Sequence, residues 1–352
     1  MIMTRSEEDR TSGISSAPPT QSTGLGTQGF RKSSLVEIAA STLEKMKRGS
    51  YDIEGRTFEV TKGIQDMKDG TMFFSEASDL SEWRTNPSLN SESNRKEVEI
   101  TVTECSVLSG ARSLNCELNS IGDGDRKRIG VLNFASAKNP GGGFLTGAQA
   151  QVRPLSTLKY YDHDWRPIIV QEESIARSST IYASLITDAA QSFYRSHRKN
   201  PHEGYYSHAM IYSPRVHFIR SDDGSWHEPI EVDVVTSCAV NAGVVRRYLR
   251  QAHRSDEGDL DKAMKERMAR VLYLFEKQGV RNLVLGSFGT GVFRNRVELV
   301  AQVWKELMVG ENARFRFSFD RVEFSILGNS TYTTFNHIFS DGDLEGQKRA
   351  NT

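Results

Sequence analysis

Two adjacent carboxylates, Glu172 and Glu173, open a stretch that reads as a helix, Q-E-E-S-I-A-R-S-S-T. Upstream, an apolar run, Ile129–Phe134, leads into three consecutive glycines, Gly141, Gly142 and Gly143. A second glycine-rich loop, Gly286, Ser287, Phe288, Gly289, Thr290, Gly291, Val292 and Phe293, also follows an apolar strand pattern. Glycines at such points permit positive φ and let main-chain N–H groups approach phosphate oxygens. Two such loops could grip a diphosphate from both sides. A carboxylate pair supplies what glycoside cleavage needs: a proton donor for the leaving oxygen and stabilisation of an oxocarbenium-like transition state. Together these features describe a diphosphate-sugar site.

Plainer readings stand beside this one. A glycine run also makes a tight turn with no ligand, and acidic residues in a first helical turn also simply complement the helix dipole. That dipole would lower a carboxylate pKa, while burial and a neighbouring carboxylate would raise it. Spacing alone leaves the balance open. The first loop is neither a Walker A sequence nor G-x-G-x-x-G. Phe144, Tyr182, Phe288 and Phe293 could stack on a base or ribose, although aromatic residues at such positions more often pack the core. His163, His202, His208 and His217 are too scattered to suggest a metal site.

The elements that must hold these residues alternate between strand and helix. Ser34 and Glu37 form a capping box ahead of an apolar stripe ending near Met46, with Gly49 as a stop. Strand patterns are expected at 57–61, 97–104, 129–134, 208–212, 231–236, 283–288 and 322–327. Helices are expected at 106–118, 260–278, 298–308 and 331–339. The alternation predicts an α/β fold with a mostly parallel sheet flanked by helices and an N-terminal helical extension. Residues 1–30 are rich in Ser, Thr, Gly, Gln and Pro and are expected to be a disordered tail. Residues 31–340 are expected to form a single domain, with a polar tail over 341–352.

Lys+Arg and Asp+Glu are both 45, so the net charge of zero gives no case for sequence-independent binding to nucleic acid or to a membrane surface. Three cysteines, widely spaced and without C-x-x-C, argue against a disulfide framework or a zinc site. No apolar run is long enough to span a membrane, and no apolar secretory leader is legible. A monomer in the cytoplasm or nucleus is expected.

The segment N-F-A-S-A-K-N-P-G-G-G-F followed by Q-E-E-S resembles the signature of microbial-type poly(ADP-ribose) glycohydrolases, which are macrodomain-fold enzymes. The resemblance runs from about Arg31 to Phe339. It includes K-R-G-S-Y at Lys47–Tyr51, Y-S-P at Tyr212–Pro214, V-D-V-V-T-S at Val232–Ser237, Asn241-Ala242-Gly243 and G-S-F-G-T-G-V-F. The resemblance implies a macrodomain-like fold and hydrolysis of ribose–ribose O-glycosidic bonds in poly(ADP-ribose), releasing ADP-ribose without metal or cofactor. Its implied substrates are the polymer or ADP-ribosylated proteins. Position by position, it implies that Gly141, Gly142 and Gly143, with Phe144, lie against the diphosphate and proximal ribose. Gln171 corresponds to the Gln of Q-E-E, and Asn133 lies at the base of the ribose site. Glu172 is implied to position the ribose hydroxyls, and Glu173 to act as general acid and then base. The loop from Gly286 to Phe293 is implied to hold the diphosphate from the other side, and Phe335 to stack on adenine.

One departure stands out. In the family a G-A-x-A tract runs directly into Q-E-E, whereas here Val152–Gln171 intervenes after Gly147-Ala148-Gln149-Ala150-Gln151. Removing that tract restores G-A-Q-A-Q-E-E-S. Its ends, Gln before Val-Arg and a terminal Val-Gln, can be encoded by splice-donor and splice-acceptor sequences. The tract is therefore expected to be a short intron retained in the reading frame. If it displaces the glutamates, the alternative is a macrodomain that binds ADP-ribose without cleaving it. A hydrolase of protein-linked mono-ADP-ribose is a third reading.

Overall fold

The computed structural model describes residues 25–86, 96–121, 127–147, 171–199 and 202–350. Among these, the strands are β1 Ser50–Ile53, β2 Arg56–Glu59, β3 Met72–Phe74, β4 Glu99–Thr103, β5 Ile129–Phe134, β6 Met210–Arg220, β7 Trp226–Ser237, β8 Asn282–Leu285 and β9 Arg321–Ser325. The α-helices are α1 Leu25–Arg48, α2 Thr61–Asp69, α3 Val107–Ile121, α4 Gln171–Ser178, α5 Ile181–Leu185, α6 Asp188–Lys199, α7 Ala242–Gln251, α8 Gly258–Lys277, α9 Val297–Met308 and α10 Asn329–Ala350.

Seven strands form one sheet in the order β3-β6-β7-β5-β8-β9-β4. The pairs β7–β5, β5–β8, β8–β9 and β9–β4 are parallel, and β3–β6 and β6–β7 are antiparallel. The expected α/β class with a mostly parallel sheet is the one observed. β5 lies in the middle of the sheet, paired on both edges, and a core covers each of its faces, so its I-G-V-L-N-F run is apolar almost throughout. Strand periodicity divides the side chains between two cores. Ile129 and Val131 join Val284, Ile175, Phe193 and the apolar face of α3 on one side. Leu132 joins Leu283, Leu285 and the buried faces of α8 and α9 on the other. Gly130 lets the ring of Phe275 on α8 lie against the strand, since a Cβ there would come within 2.6 Å of it.

Several boundaries differ from the sequence expectation. α1 begins at Leu25, so Ser34 lies inside the helix instead of capping it, and the expected tail 1–30 overlaps a helix. Residues 1–24 lie outside the described residues. No proline interrupts the chain between Leu25 and Ser34, so nothing there stops helical hydrogen bonding. α10 likewise continues to Ala350, past the expected end near Phe339 and through most of the expected polar tail. β6 and β7 form a hairpin much longer than the two short strands expected. A register shift between Ser213 and Val216, around Pro214, breaks the period-two pattern that sequence reading depends on. A small β1–β2 hairpin packs on this long one, with the Tyr51 ring 4.9 Å from Trp226.

Candidate active site

The carboxyl end of β5 and the start of α4 meet at the glycine loop. Gln171 fixes the meeting: its side-chain oxygen accepts the Phe134 N–H at 2.7 Å, and its amide donates to Leu132 O at 2.9 Å. One amide therefore satisfies two main-chain groups at the end of β5, and α4 is pinned to the central strand. The next two residues face the loop that follows. Glu172 Oε2 accepts the Ser136 N–H at 2.6 Å, and Glu173 Oε1 accepts the Gly143 N–H at 3.0 Å.

Both glutamates are buried, 2% and 8% exposed. Each keeps one carboxyl oxygen, Glu172 Oε1 and Glu173 Oε2, without a hydrogen-bond partner among the described residues. Burial dominates the titration of both. Desolvation holds the Glu172 carboxyl well above the usual carboxylate range, reinforced by the charge of Glu173 and opposed by the Ser136 N–H. Desolvation also raises Glu173, opposed by the Gly143 N–H and by the charge of Arg177 one helical turn on. The balance that spacing left open, helix terminus against burial, thus falls on the side of burial.

Gly142 is required by this packing. It sits at φ +60°, and a Cβ on it would lie 2.3 Å from Glu173 Oε1 and 3.1 Å from Glu172 Oε2. Any side chain there would occupy the space of the carboxylates. Gly141, at φ +68°, meets Phe144 and Ala176 in the same way. Asn133 is buried in the β5 floor, donates to Thr236 Oγ1 at 3.2 Å and leaves its oxygen without a partner among the described residues.

The second glycine loop leaves β8 beside this floor. The Gly286 carbonyl accepts the Trp304 indole N–H at 3.2 Å, and the Asn295 amide donates to Gly289 O at 3.0 Å and Val240 O at 2.8 Å. Ser287 and Thr290 are half-buried, whereas Gly291 and Val292 are exposed. The Phe293 carbonyl accepts from Gly243 N at 3.1 Å, which ties the loop to the Asn241-Ala242-Gly243 turn. The structure therefore gathers Gln171, Glu172, Glu173, Asn133 and the first loop at one end of the sheet, with the second loop leaving the neighbouring parallel strand at the same end.

Three aromatic expectations are corrected. Phe144 is fully buried, edge-on to Tyr182 at 4.9 Å, so its ring offers no face to a ligand. Phe288 is fully buried against Phe134. Phe335 is fully buried against Phe324 at 5.6 Å and Phe339 at 6.5 Å, so it cannot stack on a base. In each case the hydrophobic core claims the ring. Sequence reading missed Ser136, whose N–H seats Glu172, and Arg177, whose charge reaches Glu173. The i, i+4 spacing of Glu173 and Arg177 on one helix was the available signal.

Residues 39–155 and 168–221 match the family described as microbial-type PARG, catalytic domain. The structure is similar to poly(ADP-ribose) glycohydrolase from Thermomonospora curvata, with 32% identity, a TM-score of 0.71, and 87% of this chain and 99% of that chain covered. The chain belongs to the microbial-type poly(ADP-ribose) glycohydrolase family. The Thermomonospora glycohydrolase bound to the inhibitor ADP-HPD is similar at 32% identity and a TM-score of 0.69, covering 87% of this chain and 99% of that one. The Deinococcus radiodurans glycohydrolase in complex with ADP-ribose is similar at 29% identity and a TM-score of 0.62, covering 79% and 97%. No match is found among curated proteins. The glycohydrolase match is interrupted at 156–167, inside the tract Val152–Gln171 expected to be an insertion. Residues 148–170 lie outside the described residues; Gln171, the last of the tract, is the residue that pins α4 to β5.

Proposed function

We propose that this glycohydrolase-family chain hydrolyses the ribose–ribose O-glycosidic bond of poly(ADP-ribose) and releases ADP-ribose. The observation that carries the reading is the seat of Glu173. One oxygen is fixed by the glycine loop, the other has no hydrogen-bond partner among the described residues, and burial favours the protonated form. A protonated carboxyl is what the first step needs. Glu173 gives its proton to the leaving ribose oxygen as the glycosidic bond breaks and an oxocarbenium-like ribose develops. Its carboxylate then takes a proton from a water that attacks the same carbon, which restores the acid and balances the cycle. Glu172 and Asn133 orient the hydroxyls of the scissile ribose. Gly141–Gly143 and the loop Gly286–Phe293 present main-chain groups to the diphosphate.

The relatives support this reading, being poly(ADP-ribose) glycohydrolases of which one is bound to ADP-ribose. The reading of a binding module without catalysis requires the tract to displace the glutamates. Against it, Gln171, Glu172 and Glu173 all contact the end of β5 or the loop that follows. Incubating the purified chain with poly(ADP-ribose) and with mono-ADP-ribosylated protein tests the proposal. Free ADP-ribose from the polymer is expected. ADP-ribose binding with no release from the polymer would replace the enzyme by the binding module, and release only from the mono-modified protein would replace the substrate.

A further inference from the structure

The sheet order sets the parts of the site along one rim. β5, β7 and β8 run parallel and end there. β6, antiparallel to β7, begins there, and β3, antiparallel to β6, ends there. Along the rim the order is therefore β3, β6, β7, β5, β8. The glutamates sit over β5, and the second glycine loop leaves β8. Beyond β7, toward the β3–β6 end of the rim, lies a cavity of about 440 Å³ lined by Glu76, Glu203, Tyr205, Tyr206, His208 and Arg267. Two to three strand spacings separate it from β5, roughly 10–14 Å. The mechanism uses none of these residues.

The chemistry of the lining is specific. Arg267 is fully buried and is held by main-chain oxygens, donating to Cys238 O at 2.8 Å and Tyr205 O at 2.9 Å. Its Nε and His208 Nδ1 have no hydrogen-bond partner among the described residues. Desolvation, with the charges of Arg267 and Arg270, pushes the His208 imidazole down to about 3, so it is neutral near pH 7. Glu76 and Glu203 are exposed at the mouth. Two carboxylates and a guanidinium already engaged by carbonyls make a poor phosphate site. Two tyrosine rings, a neutral imidazole and carboxylate acceptors instead suit a flat heteroaromatic ring that carries N–H donors. Tyr206 is held at φ +56° and Glu203 at φ +51°, strained conformations that tertiary structure must impose. The Tyr206 ring lies 6.1 Å from Phe293, so the cavity adjoins the end of the second glycine loop.

We propose that this cavity receives the adenine of the leaving unit, the polymer residue on the far side of the scissile bond. The inference rests on the polymer reading above. A terminal ADP-ribose gripped between the loops of β5 and β8 places its scissile ribose at Glu173. The ribose that departs carries its own base, and the rim continues away from β8 only toward β7 and β6. There the tyrosine rings stack on the purine, and Glu76 or Glu203 accepts its exocyclic amine.

The test uses the full chain carrying Glu173→Gln, so that ligand is not consumed. Calorimetry compares ADP-ribose with an ADP-ribose dimer joined by the ribose–ribose bond. The dimer is expected to bind about tenfold more tightly. The ratio of the two affinities is expected to fall toward one in Tyr205→Ala and in Glu76→Leu, the second change lying at an exposed position. A ratio of one in the parent, or a ratio unmoved by both substitutions in folded protein, overturns the assignment. Failure of the polymer reading is seen separately, as polymer left intact by the chain with both glutamates present. A tenfold ratio in that case still supports the cavity as a base site, whereas cleaved polymer with a ratio of one overturns the cavity alone.

Discussion

Glu173 Oε1 accepts the main-chain hydrogen of Gly143 at 3.0 Å, which joins α4 to a loop thirty residues earlier in the chain. The contact holds the carboxyl in one orientation and leaves its second oxygen, Oε2, without a hydrogen-bond partner among the described residues. Gly142, between Gly141 and Gly143, makes the approach possible. Gly142→Ala would put a methyl group 2.3 Å from Glu173 Oε1 on a backbone at φ +60°. Displacing a catalytic group by about 1 Å costs roughly 100-fold in rate. A loss of that order in kcat, measured on polymer with the protein still folded by circular dichroism, is expected; kcat within twofold of the parent would show that Gly142 does not set the acid.

The raised pKa of Glu172 has a consequence for stability. A carboxyl whose folded pKa lies above its unfolded value binds more protons when folded, so stability declines as pH rises from the unfolded value through the folded one. Glu172→Gln replaces the buried anion by a neutral side chain that can still accept the Ser136 N–H. Its melting temperature should exceed that of the parent at pH 8, and the gap should close below about pH 4, where the parent carboxyl is protonated in both states. Equal melting temperatures at pH 8 would mean that the anion is better solvated than its burial indicates.

Arg177 acts on Glu173 by charge. It is buried beside the acid and opposes the rise that desolvation causes. A general acid is active while protonated, so kcat/KM on polymer should fall as pH rises through the Glu173 pKa. Arg177→Met removes the opposing charge and should shift that alkaline limb to higher pH. A limb that stays in place while the rate falls would assign Arg177 a purely structural part.

The tract ahead of α4 makes a further expectation testable. The deletion of Val152–Gln171 brings Gln151 to the place where the Gln171 amide satisfies Leu132 and Phe134. That chain should fold and release ADP-ribose at a rate at least equal to the parent's. Transcript sequencing across Gly147–Ser174 should return a form without the tract. If every transcript carries it, the retained-intron explanation fails.

Much of this site was legible in the sequence because it is built from local signals. The apolar run of β5, the glycines after it and the paired carboxylates each announce themselves within a few residues, and two-sided burial makes β5 nearly all apolar. The long β6–β7 hairpin was not legible, since Pro214 and the register shift interrupt its alternation and its pairing is fixed across the sheet. Nor could the sequence separate a stacking aromatic from a core one: Phe144 and Phe335 have the same composition signal as a base platform, and only packing shows that both rings are enclosed. The upward pKa shifts of Glu172 and Glu173 come from desolvation, a property of the assembled site and not of their spacing.

Glu173 is proposed above as the proton donor of a polymer-cleaving site. The most direct measurement is single-turnover release of ADP-ribose from poly(ADP-ribose), comparing the parent chain with Glu173→Gln, and with ADP-ribose affinity measured on both. Release by the parent is expected, with a loss of at least about 1000-fold in Glu173→Gln and affinity within a few-fold, since a general acid contributes to the transition state more than to ground-state binding. Release by Glu173→Gln at the parent rate, or no release by a parent chain that is folded and binds ADP-ribose, would contradict that assignment.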